Sequence, residues 1–150
     1  MINRIILTVG LPRSGKTTWA KNQGLPIVSP DGIRVSIHGQ RYYLPAESLV
    51  WVFVHIMIEA LLRAGHESII VDACHCTARR RDQYNKHNAE VMTHVIETNP
   101  ETCIGRARKT QDEMIIPTIE RMATEWDLPR PESWDGWQPE NPCVHASMHE

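Results

Sequence analysis

With 150 residues, the chain suits a single domain with one core, burying roughly two-thirds of the surface its unfolded form would expose. Sixteen basic against eighteen acidic residues leave a formal charge of −2, which excludes a global positive field that would draw the whole molecule onto DNA or an anionic membrane; any polyanion site must be local. Four cysteines in no framework spacing (Cys74, Cys76, Cys103, Cys143) point to reduced thiols in a cytoplasm, and the strand-like run that starts at Ile5 leaves no room for an export leader.

In chain order, the apolar run Ile5 to Val9 ends in glycine, as expected of a strand covered on both faces of a parallel sheet. Thr17 to Asn22 should begin a helix, and 25–29, "LPIVS", should be a second short strand leading into Asp31. Pro45 is placed to be a first helical residue, with Gly65 as the stop of a long helix. Its apolar stretch "LVWVFVHIMIEALL" at 49–62 is shorter than a membrane span and carries His55 and Glu59, so it reads as a buried helix, and no membrane partner is expected. "SIIVDA" at 68–73 is a third strand, and Thr77 should cap a helix to about Ala89. A strand at 91–98 follows, then a helix from Pro100, a mobile polar segment "KTQDE", and a last helix from Pro117 to about Trp126. From Leu128 onward a Pro- and Trp-rich tail should be irregular. Strands alternating with helices predict a parallel α/β sheet.

The first strand–helix junction reads "GLPRSGKTTWA". Gly10, Gly15, Lys16 and Thr17 satisfy G-x-x-x-x-G-K-[ST] in the context its mechanism needs. The glycines let backbone N–H groups face a triphosphate, Lys16 adds a mobile charge, and Thr17 offers its hydroxyl to Mg²⁺. Pro12, Arg13, Ser14 and Thr18 complete this loop for ATP or another nucleoside triphosphate.

Ligands of parallel α/β sheets lie beyond the carboxyl ends of the strands, so acids at neighbouring strand ends share a mouth with this cradle. "VSPDGIR" puts Asp31 there with Arg34 one helical turn on: the carboxylate orients and deprotonates a hydroxyl, and the guanidinium holds an acceptor phosphate in a fork. The plainer reading of the pair is a helix-capping acid with a surface arginine. Asp72, ending the third strand, is a candidate to hold Mg²⁺ through water or to fix the acceptor. Arg79, Arg80 and Arg81 span about 200° of a helix, so they cannot all face one ligand; Arg79 is taken as the contact. "CIGRARKTQDEMIIP" reads as a lid at about 104–116 in which Arg106 or Arg108 points inward to stabilise the transferring group.

The order of these motifs resembles the P-loop 5′-hydroxyl polynucleotide kinases, the kinase half of phage-type end-healing enzymes, over about residues 3 to 127. The resemblance implies a P-loop kinase fold, three-layer α/β/α with a mainly parallel sheet of about four strands, in a domain 1–127 followed by the tail 128–150. It implies transfer of the γ-phosphate of ATP, with Mg²⁺, to the 5′-OH end of DNA or RNA, with Asp31 as general base, Arg34 on the acceptor's phosphate, Asp72 as an essential acid and a lid arginine completing the site. Asp72-Ala73-Cys74 departs from the family's usual Asp-Thr-Asn, and Arg106, Arg108 and Lys109 depart from lid arginines about four apart. A small-molecule, nucleotide or hydroxymethyl-base kinase of the same fold, and a non-kinase switch or ATPase, are the alternatives.

Other clusters carry less. Cys74-His75-Cys76 alternate sides in an extended segment and lack a second pair at zinc spacing. Cys143, His145 and His149, and the stacking surfaces Trp134 and Trp137, all lie in the tail.

Overall fold

The computed structural model describes residues 2–41, 43–127 and, as a backbone strand, 144–148. Five strands form one sheet in the order β2-β3-β1-β4-β5. They are β1 (Arg4–Val9), β2 (Ile27–Val28), β3 (Ser68–Val71), β4 (Glu90–Ile96) and β5 (Val144–Met148). The first four are mutually parallel, in a register that sets Ile5 opposite Ile69 and Val91. Ile5, Leu7 and Val9 are fully buried, and so are Ile69, Ile70 and Val71, because helices cover both faces.

The fifth strand runs antiparallel to β4, pairing Met92 with Met148 and Ile96 with Val144. It corrects the expectation of a wholly irregular tail. Trp134, Trp137 and Cys143 lie outside the described residues.

α2 (Pro30–His38) and α3 (Glu47–Arg63) cover one face, while α5 (Pro100–Lys109) and α6 (Ile116–Glu125) cover the other. Val50, Val54 and Ile58, one turn apart, seal α3 to Leu7, Ile69 and Val71. On the opposite side Cys103, Ala107 and Ile119 pack on Val9 and Val95. The result is the three-layer P-loop kinase arrangement.

Two expectations change. α3 is not a buried helix: Val50, Val54 and Ile58 are its buried residues, while Leu49, Val52, Phe53, Ile56 and Met57 form a second apolar stripe exposed to solvent. With the 3₁₀ turn before it, Leu44–Arg63 has the length and apolarity of a membrane span, at mean hydropathy 1.5, yet its inner stripe is docked on the sheet. The helix expected from Thr77 to Ala89 is also much shorter. α4 covers only Ala78–Arg81 before tightening into a 3₁₀ segment at Asp82–Lys86. Thr77 supplies no side-chain cap; the Asp127 carboxylate accepts from Ala78 N–H instead.

The chain leaves β1 for β2 at one edge and returns through β3 before reaching β4, so the ends of β1, β2 and β3 open on one mouth. The loop 10–15, Asp31 and Asp72 follow those three strand ends.

Candidate active site

β1 runs into the loop 10–15, which feeds α1 (Lys16–Lys21). A Cβ on Gly10 would stand 2.6 Å from Ser14 Oγ and 3.0 Å from the carbonyl of Ile96, so only glycine lets the loop close against β4. Gly15, at φ +107°, turns the chain into the helix with its first N–H groups facing outward. Lys16 is buried and folds back, its Nζ donating to Leu11 O at 2.6 Å. That contact holds the ammonium over the concavity where anionic oxygens would sit.

Beside the loop, Thr17 Oγ1 donates to Asp72 Oδ2 at 2.6 Å. Asp72 is buried at the end of β3, backed by Thr8, whose Oγ1 accepts from Ala73 N–H at 3.1 Å. A hydroxyl and a carboxylate at hydrogen-bond distance next to a phosphate cradle are the hard oxygen donors that Mg²⁺ takes, so both residues fit the metal.

His75, Cys74 and Cys76 follow. His75 is buried, with Nδ1 2.8 Å from the carbonyl of Thr8 and Nε2 2.9 Å from Tyr84 Oη. A carbonyl only accepts, so Nδ1 carries the proton and Nε2 accepts from the phenol. Burial pushes the imidazole pKa down to about 4. Both ring nitrogens are committed, and the Cys76 thiol, donating to Gly10 O at 3.5 Å and pushed up to about 12 by burial, packs beneath the loop. His75 and Cys76 are structural, while half-buried Cys74 lines the cavity of the mouth.

The other side of the mouth opens at α2, capped by Ser29 Oγ on Gly32 N–H. Asp31 Oδ1 receives Arg34 Nη1 at 2.7 Å. Arg34 is held further by a carboxylate that sequence reasoning missed: Glu47, at the start of α3, accepts from Arg34 Nε at 2.9 Å and also from its Nη2. The hydrogen bond from Arg34 holds the Glu47 carboxyl below the usual range, and Glu47 in turn raises the guanidinium above its own. Of five N–H bonds on Arg34, these contacts use three, leaving one on each terminal nitrogen for a ligand.

The two sides share one cavity of about 1200 Å³, lined by Lys16, Thr17, Asp31, Arg34, Asp72 and Arg106 among others. Gly15, Pro12, Arg13, Ser14 and Thr18 line its wall as well, whereas Gly10 does not. Arg106 reaches across from α5, donating to Arg13 O at 3.0 Å. Arg108, two residues on, is exposed and does not line the cavity. Arg79 is displaced likewise: it is exposed and off the wall, whereas Arg80 lines the cavity. Arg81 is buried, donating to His75 O and pairing with Asp127 at 2.8 Å. Two further arginines, Arg41 and Arg121, were not singled out from sequence and line the mouth.

A chain of ion pairs connects the sides. Arg13 binds Asp112 at 2.6 Å, Arg41 lies 3.6 Å from Asp112 and 3.3 Å from Asp31, and Asp31 leads to Arg34 and Glu47.

A family model described as an AAA domain matches residues 5–124. The chain belongs to that family. No curated protein matches significantly. Solved structures do. A chain of a Pnkp1/Rnl/Hen1 complex aligns at TM-score 0.62 and 24% identity, over 70% of this chain and 39% of that one. A putative kinase from Chloroflexus aurantiacus aligns at 0.63 and 17%, over 88% and 81%. A gluconokinase from Sinorhizobium meliloti aligns at 0.56 and 18%, over 88% and 79%. At these identities the shared property is the fold, and this AAA domain spans only 39% of the matched chain of that complex.

Proposed function

We propose that this AAA domain is an ATP-dependent phosphotransferase whose acceptor is the 5′-hydroxyl end of a polynucleotide. The observation that carries the reading is the Asp31–Arg34–Glu47 constellation across one cavity from the loop of Lys16 and Thr17. A signalling module needs only the loop. A carboxylate and a fork of spare N–H groups facing the γ-phosphate position serve a second substrate.

In this mechanism Lys16 and the first-turn N–H groups of α1 hold the triphosphate, and Arg106 faces the transferring group. Mg²⁺, held by Thr17 and Asp72, would neutralise charge on the β- and γ-oxygens. Asp31, oriented by Arg34 and Arg41, accepts the hydroxyl proton as the oxygen forms its bond to the γ-phosphorus and the bond from that phosphorus to the bridging oxygen breaks, releasing ADP. The two spare N–H groups of Arg34 take the acceptor's adjacent phosphate.

A second reading is favoured by one feature: two carboxylates flank Arg34, and paired carboxylates also suit the hydroxyls of a small polyol. Incubation with γ-labelled ATP, Mg²⁺ and either a 5′-OH oligonucleotide or a panel of sugars and sugar acids separates the two. Label on the oligonucleotide is expected; label on polyols alone selects the second reading, and label on neither refutes both.

A further inference from the structure

A second cavity of about 770 Å³ adjoins the first, and Trp51 and Gln83 line both. Its floor is the exposed outer side of α3, where Val52 and Ile56 are 52% and 55% exposed. Trp51 forms the wall between the cavities. Its Nε1 donates to Glu47 Oε1 at 3.2 Å, and the half-buried indole packs in part on the core while it lines both cavities. Arg63 and Lys86 stand at the far end, both exposed and without an ion pair among the described residues.

The carboxylate of this cavity is already engaged. Glu59 accepts from His87 Nδ1 at 2.5 Å, and His87 Nε2 meets His55 Nδ1 at 2.8 Å. The hydrogen bond leaves Glu59 its negative charge, so the groove carries two cations, Arg63 and Lys86, against this one anion. Arg80 lines the first cavity, and Lys86 and Arg63 line the second. From Glu47 to Arg63, α3 extends for about 24 Å at its ordinary rise. An aromatic wall, an aliphatic floor and an excess of cations are what a single strand needs, with bases stacked or laid on apolar surface and phosphates following the charges. The apolar stripe of α3 thereby gains an occupant that sheds water from Val52 and Ile56.

We propose that the acceptor is bound as a strand of roughly four nucleotides, its 5′ end at Asp31 and its body in the groove of Trp51, Ile56, Lys86 and Arg63. This rests on the polynucleotide reading above, and it adds that the protein discriminates oligonucleotides from mononucleotides.

The test uses the full chain with an 8-nucleotide 5′-OH strand and, for comparison, a nucleoside 3′-monophosphate. Binding is read by fluorescence anisotropy and transfer by label. For K86A/R63A the KM of the 8-mer should rise about tenfold or more while kcat holds, and the slope of log affinity against log salt should fall by about 1.4. The KM of the monophosphate should not move, and Lys86→Arg should restore most of the 8-mer affinity. An 8-mer whose KM equals that of the monophosphate, or is unmoved by the double variant, overturns the groove while leaving the kinase reading intact. An 8-mer bound in a Lys86-dependent way and never phosphorylated supports the groove and refutes the kinase reading.

Discussion

The donor and acceptor sides of the mouth are built differently. The donor side comes from one stretch, residues 10–17, and most of what it offers a ligand is backbone, shaped by Gly10 and Gly15 and finished by Lys16. The acceptor side is assembled from α2, α3, α4 and the segment near Arg41, and what it offers is side chains held by one another: Arg34 by Glu47, Glu47 by Trp51, Asp31 by Arg34 and Arg41. A backbone cradle fixes the donor for any kinase of this fold. On the proposed reading, the side-chain network selects the acceptor.

The largest effects should separate the sides most cleanly. Lys16→Met should cost about a thousandfold in kcat and weaken ATP binding, since the loop loses its only buried ammonium. Asp31→Asn should cost on the order of a thousandfold in transfer with ATP affinity unchanged by isothermal titration, because only the acceptor loses its base. An Asp31→Asn protein with near-normal transfer would remove the general-base assignment.

Stability against pH probes where the sides meet, at His75, which links Thr8 under the loop to Tyr84 under the acceptor side. Its folded pKa is depressed to about 4, so between about 6.5 and 4 the unfolded chain takes a proton that the folded one refuses. The stabilisation is fully present above about 6.5 and is lost as pH falls toward 4, up to about 3 kcal/mol from this residue. His55 and His94, also depressed to about 4 by burial, push the same way. Urea unfolding from pH 7 to 4.5 should show the slope, and His75→Gln should flatten it; an unchanged slope would show that His75 titrates normally.

Glu47→Gln tests the network itself. The amide keeps a hydrogen bond to Arg34 but removes the charge that fixes the fork, so kcat/KM for the acceptor should fall about tenfold while ATP affinity stays put. A parallel loss of ATP affinity would mean that the two sides do not divide as described.

How far the sequence disclosed this follows from the same division. β1, the loop, Asp31 and Asp72 were legible because a motif of local spacing dictates a local backbone, and strand ends converge by topology. Glu47 was not, since an acid opening an apolar helix looks like a first-turn residue complementing the helix dipole. Arg79 was taken from sequence where Arg80 is the one that lines the cavity, because the segment tightens from α to 3₁₀ after Arg81, and a periodicity that changes partway gives no phase to read. The outer stripe of α3 misled for a related reason. Apolar residues at 49, 52, 53, 56 and 57 repeat at helical spacing just as the inner stripe does, and periodicity names a face without saying whether anything covers it.

The smallest effect is expected where the sides touch, at Asp112, which accepts from Arg13 on the donor loop at 2.6 Å and lies 3.6 Å from Arg41 on the acceptor side. Arg41 is exposed and the pair is long, so screening should hold their interaction to about 0.5 kcal/mol. Arg13–Asp112 is shorter and more sheltered. Asp112→Asn should therefore weaken ATP about two- to threefold through Arg13, with a smaller effect on the acceptor. The double-mutant cycle of Asp112→Asn with Arg41→Gln, read in ATP affinity at low salt, should give a coupling within about 0.5 kcal/mol that fades as salt is raised. A coupling several times larger, insensitive to salt, would show the ion-pair chain from Arg13 to Glu47 acting as one unit, and the mouth would then have to be treated as a single site.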